Sequence, residues 1–136
     1  DETFDVLALV QCTTPFATPA DLNGALELLE RSGAASAVTV APAPDLAHPL
    51  KLKRLEGDRL VPYLEDDALT PSHELPELWV RNGALYASRR EILEQRGTLV
   101  AEDVLGFRMP VERSLDVNAP LDLAFAEFLL SREGHA

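Results

Sequence analysis

Apolar positions along the chain fall into short blocks separated by polar, proline- and glycine-bearing stretches. Phe4 to Val10 (FDVLALV) is a continuous apolar run, which predicts a strand buried on both faces. Gln11 to Pro19 is polar and carries two prolines, and reads as a loop. Thr18 is placed to N-cap the next helix, with Pro19 at its first position and Asp21 in its first turn. Leu22, Ala25, Leu26, Leu28 and Leu29 give that helix an apolar face, and Gly33 supplies its stop. Ala37 to Val40 (AVTV) predicts a second buried strand. The order strand, helix, strand predicts an α/β fold with a right-handed crossover of the parallel kind.

After Ala41 the pattern loosens. Lys51 to Leu55 and Arg59 to Leu64 predict a hairpin about Gly57-Asp58. Glu65 to His73 reads as an exposed loop. Leu78 to Ala87 predicts a strand interrupted at Asn82-Gly83, and Ser88 an N-cap for a short helix reaching Gln95, closed by Gly97. A further strand lies within Leu99 to Met109. Pro120 opens a last amphipathic helix, with Leu121, Leu123, Phe125, Phe128 and Leu129 as candidates for its buried side and a fraying tail from Ser131. No repeat or linker divides the 136 residues, so one domain is expected.

Charge narrows the partners. Asp and Glu number 23 against 12 Lys and Arg, a formal net charge of −11. That balance disfavours nucleic acid, whose phosphates are gripped by Lys and Arg, and it disfavours an anionic membrane surface. No apolar run approaches the roughly 20 residues that span a bilayer. Cys12 is the single cysteine, which excludes an intramolecular disulfide and a multi-thiolate zinc site. It is expected as a small buried hydrophobe in a reducing, cytoplasmic setting. His48, His73 and His135 show no metal spacing. The chain opens Asp1-Glu2-Thr3, without a signal-peptide pattern, and its one methionine is Met109. The expectation is the rear part of a longer chain.

Ligands of open parallel sheets sit beyond the carboxyl ends of the strands. The loop after the first strand offers Gln11, which can read a base or sugar edge. The loop after the second offers His48 and Lys51; Lys51 is either an anion partner or a solvated surface residue. Asn82-Gly83-Ala84-Leu85-Tyr86 is either a strand bulge with a packed tyrosine or a close approach to a ligand. Asp116 and Asn118 alternate on an extended segment, so both can offer oxygens to one hard cation such as Mg2+. Alternatively, they form a turn before the helix at Pro120.

Together these segments resemble the acylneuraminate cytidylyltransferases, the CMP-sialic acid synthetases. LVQCTTPFATPADL, Leu9 to Leu22, is similar to the family's L-Q-x-T-S-P-x-x-x-x-x-D-L. NGALY, Asn82 to Tyr86, is similar to N-G-x-x-Y, and SLDVNAPLDLAFAE, Ser114 to Glu127, to S-x-D-I-D-x-x-x-D-x-x-x-A-E. HPLK, His48 to Lys51, and ELP, Glu74 to Pro76, match shorter connecting motifs. The resemblance implies transfer of CMP from CTP to a sialic-acid-like nonulosonic acid, with release of pyrophosphate. It implies a Rossmann-like nucleotide-sugar transferase sheet, mixed but mainly parallel, with flanking helices. It also implies a homodimer formed through an arm at about residues 51–71. Carried over, Gln11 contacts the sugar, Lys51 and Tyr86 lie on its carboxylate side, and Asn82 lines the same pocket. Asp116 is the catalytic metal ligand, and Asn118 the second metal-site position.

The departures are specific. The family's N-terminal strand and Gly-rich loop, which grip the CTP phosphates, have no counterpart here. Asn118 stands for the second metal-site Asp, Ser72-His73 for an Arg-Gln pair, and Ala17 for an Arg. The foremost expectation is therefore the rear part of a CMP-transferring enzyme, inactive as a fragment. A non-catalytic relative serving as a binding or assembly module is the second. A nucleotidyltransferase of the same superfold with another sugar or nucleotide is the third.

Overall fold

The computed structural model describes residues 3–64 and 71–133. In chain order its elements are β1 (Val6–Val10), α1 (Pro19–Ser32), β2 (Ser36–Pro42), β3 (Lys53–Glu56), β4 (Arg59–Pro62), β5 (Trp79–Arg89), α2 (Arg90–Arg96), β6 (Val104–Arg108) and α3 (Pro120–Glu133). They form two compact units: Asp1–Ala41 with Arg81–Ala136, and Pro42–Val80. Residues 65–70 of the expected loop and arm, and residues 134–136 of the tail, lie outside the described residues.

The larger unit is built on a sheet of order β1-β5-β2-β6. β1 pairs antiparallel with β5, from Val6 opposite Arg89 to Val10 opposite Leu85. β2 pairs parallel with β6, from Ser36 opposite Val104 to Val40 opposite Arg108. The α/β class holds, but the sheet is mixed rather than mainly parallel. β5 enters between β1 and β2 and runs against β1, so the first two strands are not neighbours.

Helix α1 begins and ends as its sequence dictates. Asp21 N donates to Thr18 Oγ1 (3.3 Å), while Thr18 N and Oγ1 donate to the Asp21 carboxylate (3.0 and 2.7 Å). This is a reciprocal capping box. Gly33 closes the helix at φ 72°, where a glycine costs least. The buried face of α1 is Ala25 and Leu29, packed with Ala34, Ala37, Leu85 and Ala87 and flanked by Val6, Leu22, Leu26, Leu105 and Phe107. Small residues dominate this core, which lets helix and sheet approach closely. Leu29 and Leu85 are its bulkiest fully buried side chains, each contributing about 2 kcal/mol by burial.

Four expectations fail. β1 is not buried on both faces: it is an edge strand, and Leu7, Leu9 and Val10 are exposed. Cys12, in the loop just after it, is exposed as well. Ser88 remains within β5, and α2 starts after Arg89 without a side-chain cap. On α3 the inward stripe is Asp122, Ala126 and Leu129, whereas Leu121, Leu123, Phe125 and Phe128 are exposed. Apolar residues surround α3 on nearly every side, so composition does not select the buried face.

The smaller unit contains the expected hairpin. β3 and β4 pair antiparallel, from Lys53 opposite Pro62 to Glu56 opposite Arg59, and Gly57 takes φ 64° in the turn. Within the same unit the segments around residues 43 and 78 are joined by a bond from Ala43 N to Leu78 O (2.8 Å).

Candidate functional site

The segment from Met109 to Asn118 has no regular structure beyond a single short turn, yet hydrogen bonds from several of its residues pin it within the larger unit. Arg113 donates from Nε and Nη2 to the two carboxylate oxygens of Asp21 (2.8 and 2.7 Å). Asn82 donates from Nδ2 to Ser114 Oγ (2.8 Å), which in turn donates to Pro110 O (2.7 Å). Val117 N donates to Thr13 O (2.8 Å) in the loop after β1. These bonds tie it to both of the other long motif segments, Leu9–Leu22 and Asn82–Tyr86.

The result is a convergence on Gly83. A Cβ built there stands 2.5 Å from Gln11 Oε1 and 3.8 Å from Asp116 Oδ2. Gly83 also takes φ 81°, a left-handed conformation that side chains disfavour. Glycine is thus required twice over, for the backbone and for the approach of both polar side chains. The strand nevertheless runs through Asn82-Gly83 without a break.

The carboxylate of Asp116 is only half satisfied. Oδ2 accepts from Asn118 Nδ2 (2.8 Å). Oδ1 is enclosed and, among the described residues, has no hydrogen-bond partner. Asp122 cannot relieve it, since its Oδ2 accepts from the backbone N–H groups of Asn118 (3.0 Å) and Ala119 (2.8 Å) at the start of α3. An enclosed, unpartnered carboxylate oxygen suits a hard cation. Asn118 turns its N–H toward Asp116 and brings no charge. The residues therefore fit an Mg2+ that carries most of its ligands with it, as phosphate oxygens and water. Among the described residues no group of three or more His, Cys, Asp or Glu side chains is arranged to hold a metal ion.

The other sequence candidates are distributed unevenly. Gln11 is exposed beside Gly83. Asn82 is buried, with its amide engaged on both sides: Nδ2 also reaches Met109 Sδ (3.3 Å), and Oδ1 accepts from Ala84 N (3.3 Å). Tyr86 is half-buried on β5, opposite Leu9. Lys51 belongs to the smaller unit, where its ammonium donates to Ser72 Oγ.

The ion pair of Asp21 and Arg113 was not legible as part of the site. Asp21 had a complete local explanation in the helix cap, and Arg113 lies 92 residues away. The bidentate bond from Arg113, aided by the Thr18 donors, holds the Asp21 carboxyl well below the usual carboxylate range against the opposing effect of burial. The same bond raises the Arg113 guanidinium. Among the described residues no helix is long and apolar enough to cross a membrane.

No family model matches the chain. It is similar over 96% of its length to two curated proteins. One is the CMP-N,N'-diacetyllegionaminic acid synthase of Legionella pneumophila, 27% identical over 131 residues, of which the chain spans 56%. The other is the N-acylneuraminate cytidylyltransferase A of Danio rerio, 30% identical over 139 residues, of which it spans 30%. Both relatives are named for chemistry that joins CMP to an acidic sugar.

Proposed function

We propose that this chain is part of a nucleotidyltransferase that moves CMP from CTP to a sialic-acid-like nonulosonic acid and releases pyrophosphate. The observation that carries this reading is the meeting of three motif segments at Gly83, where Gln11 and Asp116 both stand against the backbone. The two relatives named for such chemistry support it.

In this reading the anomeric hydroxyl of the sugar acid attacks the α-phosphorus of CTP. The bond from that phosphorus to the bridging oxygen breaks, and pyrophosphate leaves with the electron pair. Catalysis of such a step is chiefly positioning and charge stabilisation. Asp116 Oδ1 would take part in holding Mg2+, which would supply the charge that neutralises the triphosphate. Asn118 orients the Asp116 carboxylate through Oδ2. Gln11 presents its amide to the sugar, and Gly83 leaves room for it. Tyr86 serves the sugar and its carboxylate, while Asn82 holds the loop that carries Asp116. A homodimer belongs to the same reading.

A second reading, a non-catalytic binding or assembly module, is favoured by one observation: the residue beside Asp116 is a neutral amide that already occupies Oδ2. Assay of the complete gene product with CTP, Mg2+ and a panel of nonulosonic acids separates the two. Pyrophosphate release that depends on all three components supports the transferase. Inactivity with every sugar acid, with CTP binding retained, supports the module. Parallel assays with UTP, GTP and ATP test whether the nucleotide is CTP.

A further inference from the structure

The outer edge of β1 is built to receive another strand, and its sequence says which. Arg90 N donates to Asp5 O (2.9 Å), next to the ladder pair of Val6 and Arg89. In an antiparallel ladder, residues that bond the neighbour alternate with residues whose N–H and C=O face away. Asp5, Leu7 and Leu9 therefore turn their backbone groups to β5, and Val6, Ala8 and Val10 turn theirs outward. Among the described residues no strand pairs with that side, since β1 ends the order β1-β5-β2-β6. Leu7, Leu9 and Val10 stand 39, 42 and 52% exposed along it.

Sheet edges that stay open are protected by charge, proline, a bulge or a cover. Val6–Val10 reads VLALV. It carries no charge and no proline, and its register with β5 runs unbroken. The five residues also read the same in both directions. An antiparallel copy centred on Ala8 sets Val6 opposite Val10, Leu7 opposite Leu9 and Ala8 opposite itself. The outward-facing residues then meet one another, and each such pair exchanges two backbone hydrogen bonds. The smallest side chain lies on the two-fold axis. Just beyond the strand, Asp5 meets Gln11, so each carboxylate faces a neutral amide. A parallel copy in register would set Asp5 beside Asp5, and like charges opposed across strands destabilise the pair.

We infer that the occupant of this edge is a second copy of this chain, paired antiparallel through β1 about a two-fold axis at Ala8. The two four-stranded sheets then become one sheet of eight strands. Three part-exposed apolar side chains and one strand edge from each copy make a small isologous interface, below about 1,200 Å2 in total. The dimer is therefore reversible, with a dissociation constant on the order of micromolar. It is separate from the arm at about residues 51–71.

The test uses the complete gene product. Sedimentation should show a monomer–dimer equilibrium in the micromolar range. Ala8→Pro removes an outward N–H and none that bonds β5, and should weaken the dimer about tenfold or more. Unchanged circular dichroism shows that the fold is kept. With Cys12→Ser as background, Ala8→Cys should give an intermolecular disulfide under mild oxidation, because directly opposed Cα atoms stand about 5.5 Å apart. Val10→Cys should not, because the two copies of that position lie about 14 Å apart along the strands. A monomer throughout the micromolar range overturns the inference and makes another strand of the same product the cover. A dimer that survives Ala8→Pro unweakened, or a disulfide at Val10 as fast as at Ala8, overturns it as well. None of these readouts needs CTP or turnover, so the inference and the transferase reading fail separately.

Discussion

Two carboxylates of the larger unit are treated in opposite ways. Asp21 is 3% exposed and receives donors on both oxygens, from Arg113, Thr18 N and Thr18 Oγ1. Asp116, three residues beyond Arg113, has one oxygen bonded to Asn118 and one enclosed with no partner among the described residues. A fold built for stability alone would satisfy both. The difference teaches which carboxylate holds the structure and which is held by it. The Asp21 pair fixes the segment, and the segment then presents Asp116 half-paired beside Gly83.

The contrast can be broken by substitution. Asp116→Asn in the complete protein is expected to lower pyrophosphate release by about a hundredfold or more, the scale of losing one charge-stabilising group. Its melting temperature should stay the same or rise, since an unpaired buried charge is removed. A melting temperature that falls as far as that of Asp21→Asn would erase the distinction. Asp21→Asn should in turn cost about 1–2 kcal/mol of stability, because the charge-assisted bonds to a buried carboxylate are weakened while the half-exposed Arg113 keeps its contact with solvent. Chemical denaturation measures this directly.

The same pair sets an acid limit. The Asp21 carboxyl binds its proton less tightly in the folded chain than in the unfolded one. Its contribution is therefore complete at neutral pH. It starts to shrink as pH falls through about 4, the ordinary aspartate value, and is lost as pH drops toward the depressed folded value. Asp21→Asn should flatten that acid limb in a series of denaturation curves.

Gly83→Ala sharpens the comparison from the other side. The left-handed backbone alone predicts a cost of about 1–2 kcal/mol, and the new Cβ displaces Gln11 Oε1. Sugar-acid affinity should weaken together with stability. Smallest is Leu9→Lys on β1: stability should change by less than about 0.5 kcal/mol. The 136-residue polypeptide alone should then self-associate less in sedimentation, because a charged edge resists pairing with another chain.

Sequence reading went furthest where the cause of a structure is local. Thr18, Pro19, Asp21 and Gly33 specify α1 within one stretch of chain, and Gly57-Asp58 specifies the hairpin in the same way. It failed where partners are distant. The apolar run at β1 shows that a strand forms, but not that β5 covers one of its edges and leaves the other bare. On α3, apolar residues on nearly every side concealed which stripe is buried. Gln11, Gly83 and Asp116 were recognisable as separate motifs. The resemblance implied that they share a site, but the bonds that bring them together, such as Asn82 to Ser114, join segments far apart in sequence and could not be read from it.

The bond between Asp21 and Arg113 has a consequence for how the molecule is made. It closes a loop of 92 residues, and β1 finds its neighbour only when β5 arrives. Contacts of such long range are slow to form, because loop-closure entropy must be overcome first. During synthesis Asp21 leaves the ribosome holding only its local Thr18 donors. The site about Gly83 cannot assemble until residues beyond Val117 have emerged. Until β5 is made, the edge of β1 that it covers stays open to misassociation.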